Sequence, residues 1–211
     1  MLVFLILFLS SAQATYYGTY TSGGEVSTYA CYKSNGWSDF HMLDVFTYNN
    51  QINTNFYQYA ANAHAAGFTT SQFDLFFTLG PLIGTFDALV EQMNTIINTN
   101  NVQFNIMWLD IDGQGWYTIQ TLNEDSLRHE LDLLLKYYPK VGVRVTKDFW
   151  NKTFTNTFTY DRSNEILLWD NTQTGKTFEK YGWWTTPNMS YYTSQTMCGS
   201  YKFEYKRNNI L

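Results

Sequence analysis

Charge is scarce in this sequence: Asp, Glu, Lys and Arg together make up 15% of the residues, and only 13 of them are basic. With a formal net charge of −5, nothing here could neutralise a row of phosphates, which excludes a nucleic-acid partner. The same acidity opposes the approach of an anionic wall polymer at low salt. Histidine is confined to His41, His64 and His129, scattered without Cys or His partners at ligand spacing. A zinc site is therefore excluded, and no metal or cofactor is expected. No Gly-x-Ser-x-Gly and no phosphate loop occur, and the Gly18–Gly24 stretch is too loose to cradle phosphate. Linker, solenoid repeat and second domain are all missing.

What the chain does have is aromatic side chains, 19% of its 211 residues, on an ample apolar background. So many rings could not stay solvated, so disorder is excluded and one domain with a single core is expected. The first residues hold an apolar run from Leu2 to Leu9, then small residues ending Ala12-Gln13-Ala14. This pattern predicts a signal peptide over 1–14, cleaved before Thr15, and a mature domain over 15–211. The run is shorter than the roughly 20 residues a membrane span needs, so no anchor is expected after cleavage. The compartment implied is extracellular or lysosomal. There, an isolated cysteine pair, Cys31 and Cys198, forms one disulfide more often than two buried thiols. Closing so long a loop stabilises by about 4–5 kcal/mol in the chain-entropy model. Asn151-Lys-Thr and Asn188-Met-Ser are short glycosylation sequons, each weak alone.

Strand candidates recur along the chain at Tyr16–Thr21, Phe40–Thr47, Asp74–Leu79, Asn105–Asp112, Val141–Thr146 and Ile166–Trp169. Between them lie helical patterns. Phe86, Leu89, Val90, Met93, Ile96 and Ile97 fall on one face, and Leu127, Leu131, Leu134, Leu135 and Tyr138 on another. Asn123 is the expected N-cap of the latter, with Pro139 beyond its end. An Ala-rich helix over Asn53–Ala66 is closed by Gly67. Strand and helix alternating in this way predict an α/β fold, parallel strands in a sheet or barrel, with a less regular C-terminal third from Asn151 onward.

The segment Phe104-Asn-Ile-Met-Trp-Leu-Asp-Ile-Asp-Gly113 carries the most chemistry. Alternation puts Phe104, Ile106, Trp108, Asp110 and Asp112 on one face, and Met107, Leu109 and Ile111 on the face under the helices. Two carboxylates thus stand together at the carboxyl end of a parallel strand, where α/β barrels keep their active sites. Paired acids are the equipment of glycoside hydrolysis. A calcium loop would need further ligands and a terminal Glu that are not there. Trp116, Trp169, Trp183 and Trp184 follow strands or sit in loops, where rings can stack on sugars.

The ordered set of segments resembles the eukaryotic branch of the family 25 glycoside hydrolases, the lysozymes. The pieces are Tyr17-Gly18, Ala30-Cys31-Tyr-Lys-Ser-Asn-Gly36, Ala63-His-Ala-Ala-Gly-Phe68, Val90-Glu-Gln-Met93, Trp108-Leu-Asp-Ile-Asp-Gly113, Val141-Gly-Val-Arg-Val-Thr146, Leu168-Trp169, Gly182-Trp-Trp-Thr-Thr-Pro187 and Cys198-Gly199. The resemblance implies a modified (β/α) barrel of TIM type and, in active members, cleavage of the muramyl bond of peptidoglycan. It also implies substrate contacts at Tyr20, Phe76, Trp108, Trp169 and Trp184. Against the family pattern, Tyr20 stands where the first strand ends in Asp, Asp44 replaces an Arg, and Phe76 replaces a Tyr. The proton-donor Glu of the Asp-x-Glu motif becomes Asp112, one methylene shorter; a retreat of ~1 Å can cost about 100-fold in rate. The closing strand offers only Glu204, one position out of register, and Leu79-Gly-Pro-Leu-Ile83 replaces a cysteine pair.

Two functions follow. The favoured one is a secreted lysozyme-like protein with impaired or lost catalysis, binding a glycan such as peptidoglycan or assembling with itself. The other is an active muramidase using Asp112 as acid with Asp110 or Asp44. They separate on whether Asp44, Asp110 and Asp112 converge in an open cleft or meet Tyr20 in their way.

Overall fold

Apolar strands too short to shield themselves must be covered on one side by helices and on the other by each other. The computed structural model describes residues 15–46, 51–78, 80–81, 86–113, 115–172, 178–198 and 200–208, and meets this condition by closing the sheet. Eight strands follow one another around a barrel in chain order: β1 (Thr15–Thr21), β2 (Phe40–Asp44), β3 (Phe73–Thr78), β4 (Met107–Asp110), β5 (Val141–Val145), β6 (Ile166–Asp170), β7 (Met189–Met197) and β8 (Ser200–Asn208). The first seven are parallel; β8 closes the ring antiparallel to both β7 and β1. The expected modified α/β barrel is what forms. The proposed leader over 1–14 lies outside the described residues.

Helices α1 (Val26–Ser34), α2 (Phe56–Ala65), α3 (Phe86–Thr99), α4 (Gln120–Tyr137) and α5 (Lys147–Thr153) follow β1 to β5 in turn. Gly67 ends α2 at φ 93°, with its N–H on the His64 carbonyl and the Phe68 N–H on that of Ala63, as its sequence position suggested. Asn123 is not a cap. The first helical residue is Gln120, and Asn123 lies a turn inside, 1% exposed. Its amide reaches back to the Tyr117 N–H and carbonyl and across to the Thr153 carbonyl. Phe104 also departs from expectation: β4 begins only at Met107, and Phe104 packs edge-on against Tyr138 outside the barrel.

Two apolar regions result. The larger lies between barrel and helices and includes Leu75, Met107, Leu109, Ile111, Val143 and Leu168. The smaller fills the barrel with Phe40, Met42, Phe76, Ile106, Trp108, Trp169 and Met189. Trp108 fits because its partner in register on β5 is Gly142, where a Cβ would lie 2.2 Å from the indole ring. The Cys31–Cys198 disulfide forms as expected and ties α1 to the turn between β7 and β8.

A carboxyl without a hydrogen-bond partner interrupts the apolar stripe of α4. Glu130 shares the face of Leu127, Leu131 and Leu134, is 2% exposed, and neither carboxyl oxygen has a hydrogen-bond partner. Burial first, then the Asp87 charge on α3, hold its pKa well above the usual carboxylate value.

Two outcomes are expected. Gly142→Ala overpacks the barrel interior and lowers unfolding free energy by about 1–3 kcal/mol, read by urea titration. For Glu130 the unfolded chain ionises first, so stability is full below about pH 4.5 and falls as pH rises toward the folded-state pKa, by at most about 1.4 kcal/mol per pH unit. Denaturant midpoints of Glu130→Met measured from pH 4 to 8 should show a flatter decline than those of the parent.

Candidate functional site at the barrel mouth

In a parallel barrel every strand points its carboxyl end at the same rim, so side chains just beyond those ends converge. Alternation places Tyr20, Asp44, Thr78, Asp110 and Arg144 on the barrel side of β1 to β5, with Asp112, Thr146 and Asn171 immediately past β4, β5 and β6.

The centre of the cluster is an ion pair. Arg144 donates from Nη1 to Asp110 Oδ2 at 2.5 Å, and Thr78 Oγ1 donates to the same oxygen at 3.1 Å. The Asp112 N–H takes Asp110 Oδ1 at 3.1 Å. Only 7% of the Asp110 side chain and 19% of that of Arg144 reach solvent. Burial pushes the Asp110 carboxyl up, and Arg144 is the strongest pull back toward the charged form. Below the pair lie aromatic faces: the guanidinium sits 5.0 Å from the Trp169 ring centre and 5.7 Å from that of Phe76.

Asp112 is half-buried and accepts at both oxygens, from Thr146 Oγ1 at 3.1 Å and Asn171 Nδ2 at 3.3 Å. Asp44 is held by the Tyr20 hydroxyl at 2.8 Å and the Phe46 N–H at 2.9 Å. Burial raises Asp44 to about 6, helped by the neighbouring Asp110 charge and opposed by those two hydrogen bonds and Arg144. Tyr20 packs edge-on against Phe76, 5.2 Å between ring centres, so the ring on β1 leans into the mouth beside Asp44.

The expected acids thus come together: Asp44, Asp110 and Asp112 share one rim with Tyr20. The expected sugar-stacking rings do not. Phe76, Trp108 and Trp169 are the barrel's packing, at most 4% exposed, because their strand positions face inward below the rim. Trp184 is 5% exposed on the far side of the sheet, its Nε1 donating to the Ile166 carbonyl amid Trp150 and Tyr181. Of the five, Tyr20 alone shows a partly open ring. Glu204 lies on β8, where only the backbone is described.

Arg144, Thr78, Thr146 and Asn171 were not singled out from the sequence. A signal existed for Arg144: one cation within Val141-Gly-Val-Arg-Val needs a buried anion. The histidines serve packing and surface. His41 sits between Thr19 and Thr21, His64 meets the Phe68 and Gln103 carbonyls, and His129 meets Asp87. Of the sequons, Asn151 is exposed on α5, while Asn188 accepts the Leu168 N–H through its side-chain oxygen.

No family model matches the chain. It is 25% identical to Counting factor 50 of Dictyostelium discoideum over 207 residues, 92% of this chain but only 66% of that protein, short of two thirds of its length. It is 23% identical over 176 residues to Probable GH family 25 lysozyme 2 of the same organism, covering 82% of this chain and 80% of that one. In fold it is similar to a bacterial lysozyme from Streptomyces coelicolor, at TM-score 0.71 and 16% identity over 93% of both chains. A muramidase from Acremonium alcalophilum is similar too, at TM-score 0.71 and 15% identity over 93% of this chain and 94% of that one. Relatives and fold together bear out the resemblance to the family 25 lysozymes.

Removing the Tyr20 hydroxyl removes a donor to the Asp44 carboxylate, which favours its protonated form. In Tyr20→Phe the Asp44 titration should therefore move upward from about 6, followed by carboxyl-carbon NMR shifts.

Proposed function

We propose that this lysozyme-like barrel is a secreted glycan-binding protein whose mouth has lost most or all of its power to cleave. The observation that carries the reading is the commitment of the rim's acids. Asp110 is bound to Arg144 and Thr78, Asp112 accepts from Thr146 and Asn171, and Asp44 is taken by Tyr20. Glycoside hydrolysis needs one carboxyl that gives up a proton and a second left free to attack or to activate water. Here each of the acids is hydrogen-bonded to a neighbour on, or just past, another strand. The donor position of the resembled motif also carries the shorter Asp112. A polar rim of hydroxyls, amides and carboxylates still suits hydroxyl-rich ligands, and peptidoglycan is the class implied by the lysozyme-like scaffold. Placing the protein outside the cell rests on the leader-like run over 1–14 and on the Cys31–Cys198 bridge, which persists only where thiols are oxidised. Sequence likeness reaches both a lysozyme and a protein named as a counting factor, and does not choose between catalysis and another role.

One observation favours a second reading, an active muramidase. Burial raises Asp44 to about 6, beside Asp110 in its ion pair with Arg144, and a carboxyl with a raised pKa near a second acid is what a general acid requires.

Release of labelled fragments from peptidoglycan by the mature protein, followed from acid to neutral pH beside an Asp112→Asn variant, decides between them. The expected result is no release above that variant at any pH, while co-sedimentation with the polymer persists. Release that disappears in Asp112→Asn would establish the muramidase instead.

A further inference from the structure

With the rings inside the barrel serving as packing, Tyr20 is the partly open ring of the mouth, and any further aromatic contact with a glycan comes from outside it. The described residues contain few large apolar side chains that remain open: Val26, Tyr117, Ile119 and Leu122, at 41%, 36%, 56% and 43% exposure. Three of these four fall within six residues of one another, on the loop from β4 and the start of α4. That loop leaves the rim at Asp112, so Tyr117 lies at most about 18 Å of extended chain from it.

The loop is held firmly for a surface segment. Asn123, 1% exposed, receives the Tyr117 N–H at 2.8 Å and donates to the Tyr117 carbonyl at 3.0 Å and to the Thr153 carbonyl at 2.9 Å. One turn earlier, Gln120 Nε2 reaches the Phe154 carbonyl at 3.0 Å and the Lys152 carbonyl at 3.2 Å. Trp116, the residue before Tyr117, is anchored edge-on against Phe154 with ring centres 5.3 Å apart. Asn123 thus fixes the backbone of Tyr117, a residue 36% exposed, while Gln120 ties the start of α4 to the chain at the end of α5. An open ring on a fixed backbone loses little freedom on binding.

We infer that Tyr117, flanked by Ile119 and Leu122, forms an outlying subsite on which one sugar unit of an oligosaccharide stacks while another unit occupies the rim. The inference rests on the glycan-binding reading and adds a second point of contact, outside the rim, for the same ligand. A second copy of this protein fits the patch less well. Three side chains cannot supply the roughly 800 Å² per partner of a stable interface, whereas one sugar face needs no more than a ring and its apolar rim.

The test measures binding of N-acetylglucosamine oligosaccharides, from dimer to hexamer, and of soluble peptidoglycan fragments of matching lengths, by titration calorimetry. The parent should bind longer chains more tightly. Tyr117→Ala should weaken the long chains by about tenfold, equivalent to about 1.4 kcal/mol, and leave the dimer unchanged. Tyr117→Phe should keep the parent's length dependence, since the ring and not the hydroxyl stacks. The Asn123 clamp holds main-chain atoms, so both variants should melt like the parent. Equal affinities of parent and Tyr117→Ala at every length would overturn the subsite and leave the rim reading intact. No binding of any oligosaccharide by the parent would overturn both. Concentration-dependent dimerisation that Tyr117→Ala abolishes and sugars do not affect would make the patch an interface between copies, and would also overturn the subsite.

Discussion

A tryptophan inside a small barrel needs room beside it on the adjacent strand, and here the room is at Gly142. With no Cβ at that place, the Trp108 indole lies flat against the β5 backbone and turns its Nε1 to Asp74 at 2.9 Å. Trp169 then meets Trp108 edge-on, 5.9 Å between ring centres, and presents its face upward to Arg144. The guanidinium, fixed from below, is what holds Asp110. The mouth is therefore positioned by a stack that starts at one missing side chain: Gly142, Trp108, Trp169, Arg144, Asp110. Dense packing transmits a shift at any level to the next, because rings in a filled barrel have no slack to absorb it.

The electrostatics of the molecule follow from the same filling. Asp44, Asp110 and Glu130 are all buried enough that their pKa values are raised. Arg144 is the cation that meets two of them, and it lies closer to Asp110 than to Asp44, to which it contributes the smallest of the named effects. Acid therefore favours the folded state through both Asp44 and Glu130. The same shifts make the rim less negative in mild acid than the composition suggests.

The strand and helix order was legible because parallel strands under helices leave a strong apolar imprint. Six of the eight strands were located within a few residues. Of the β7–β8 hairpin only the closing strand was marked, through the family resemblance around Glu204; β7, with Ser, Thr and Gln through Met189–Met197, carries no apolar alternation to read. Helix α1 escaped for a related reason: it buries only Tyr29 and Tyr32, too little for a periodic signal. At the site, Asp110 and Asp112 were found because paired acids at a strand end are conspicuous, and Asp44 because it departs from the family pattern. The rings were misassigned because sequence shows that Phe76, Trp108 and Trp169 face the barrel, but not that they lie below its rim. Asn123 was read as a cap from its residue type, while its tertiary partners, Tyr117 and Thr153, decided its role.

The antiparallel closure has a consequence for how the molecule can be displayed. Thr15 of β1 stands opposite Asn208 of β8, at the end of the barrel away from the carboxyl ends of the parallel strands. Both ends of the described chain therefore leave side by side from the floor. A tether or fused partner attached at either end, or at both, would hold the barrel upright with its rim facing outward. Immobilised in this way on a bead or a cell surface, the protein would offer its mouth to a polymer passing overhead without the attachment crossing the path of the ligand.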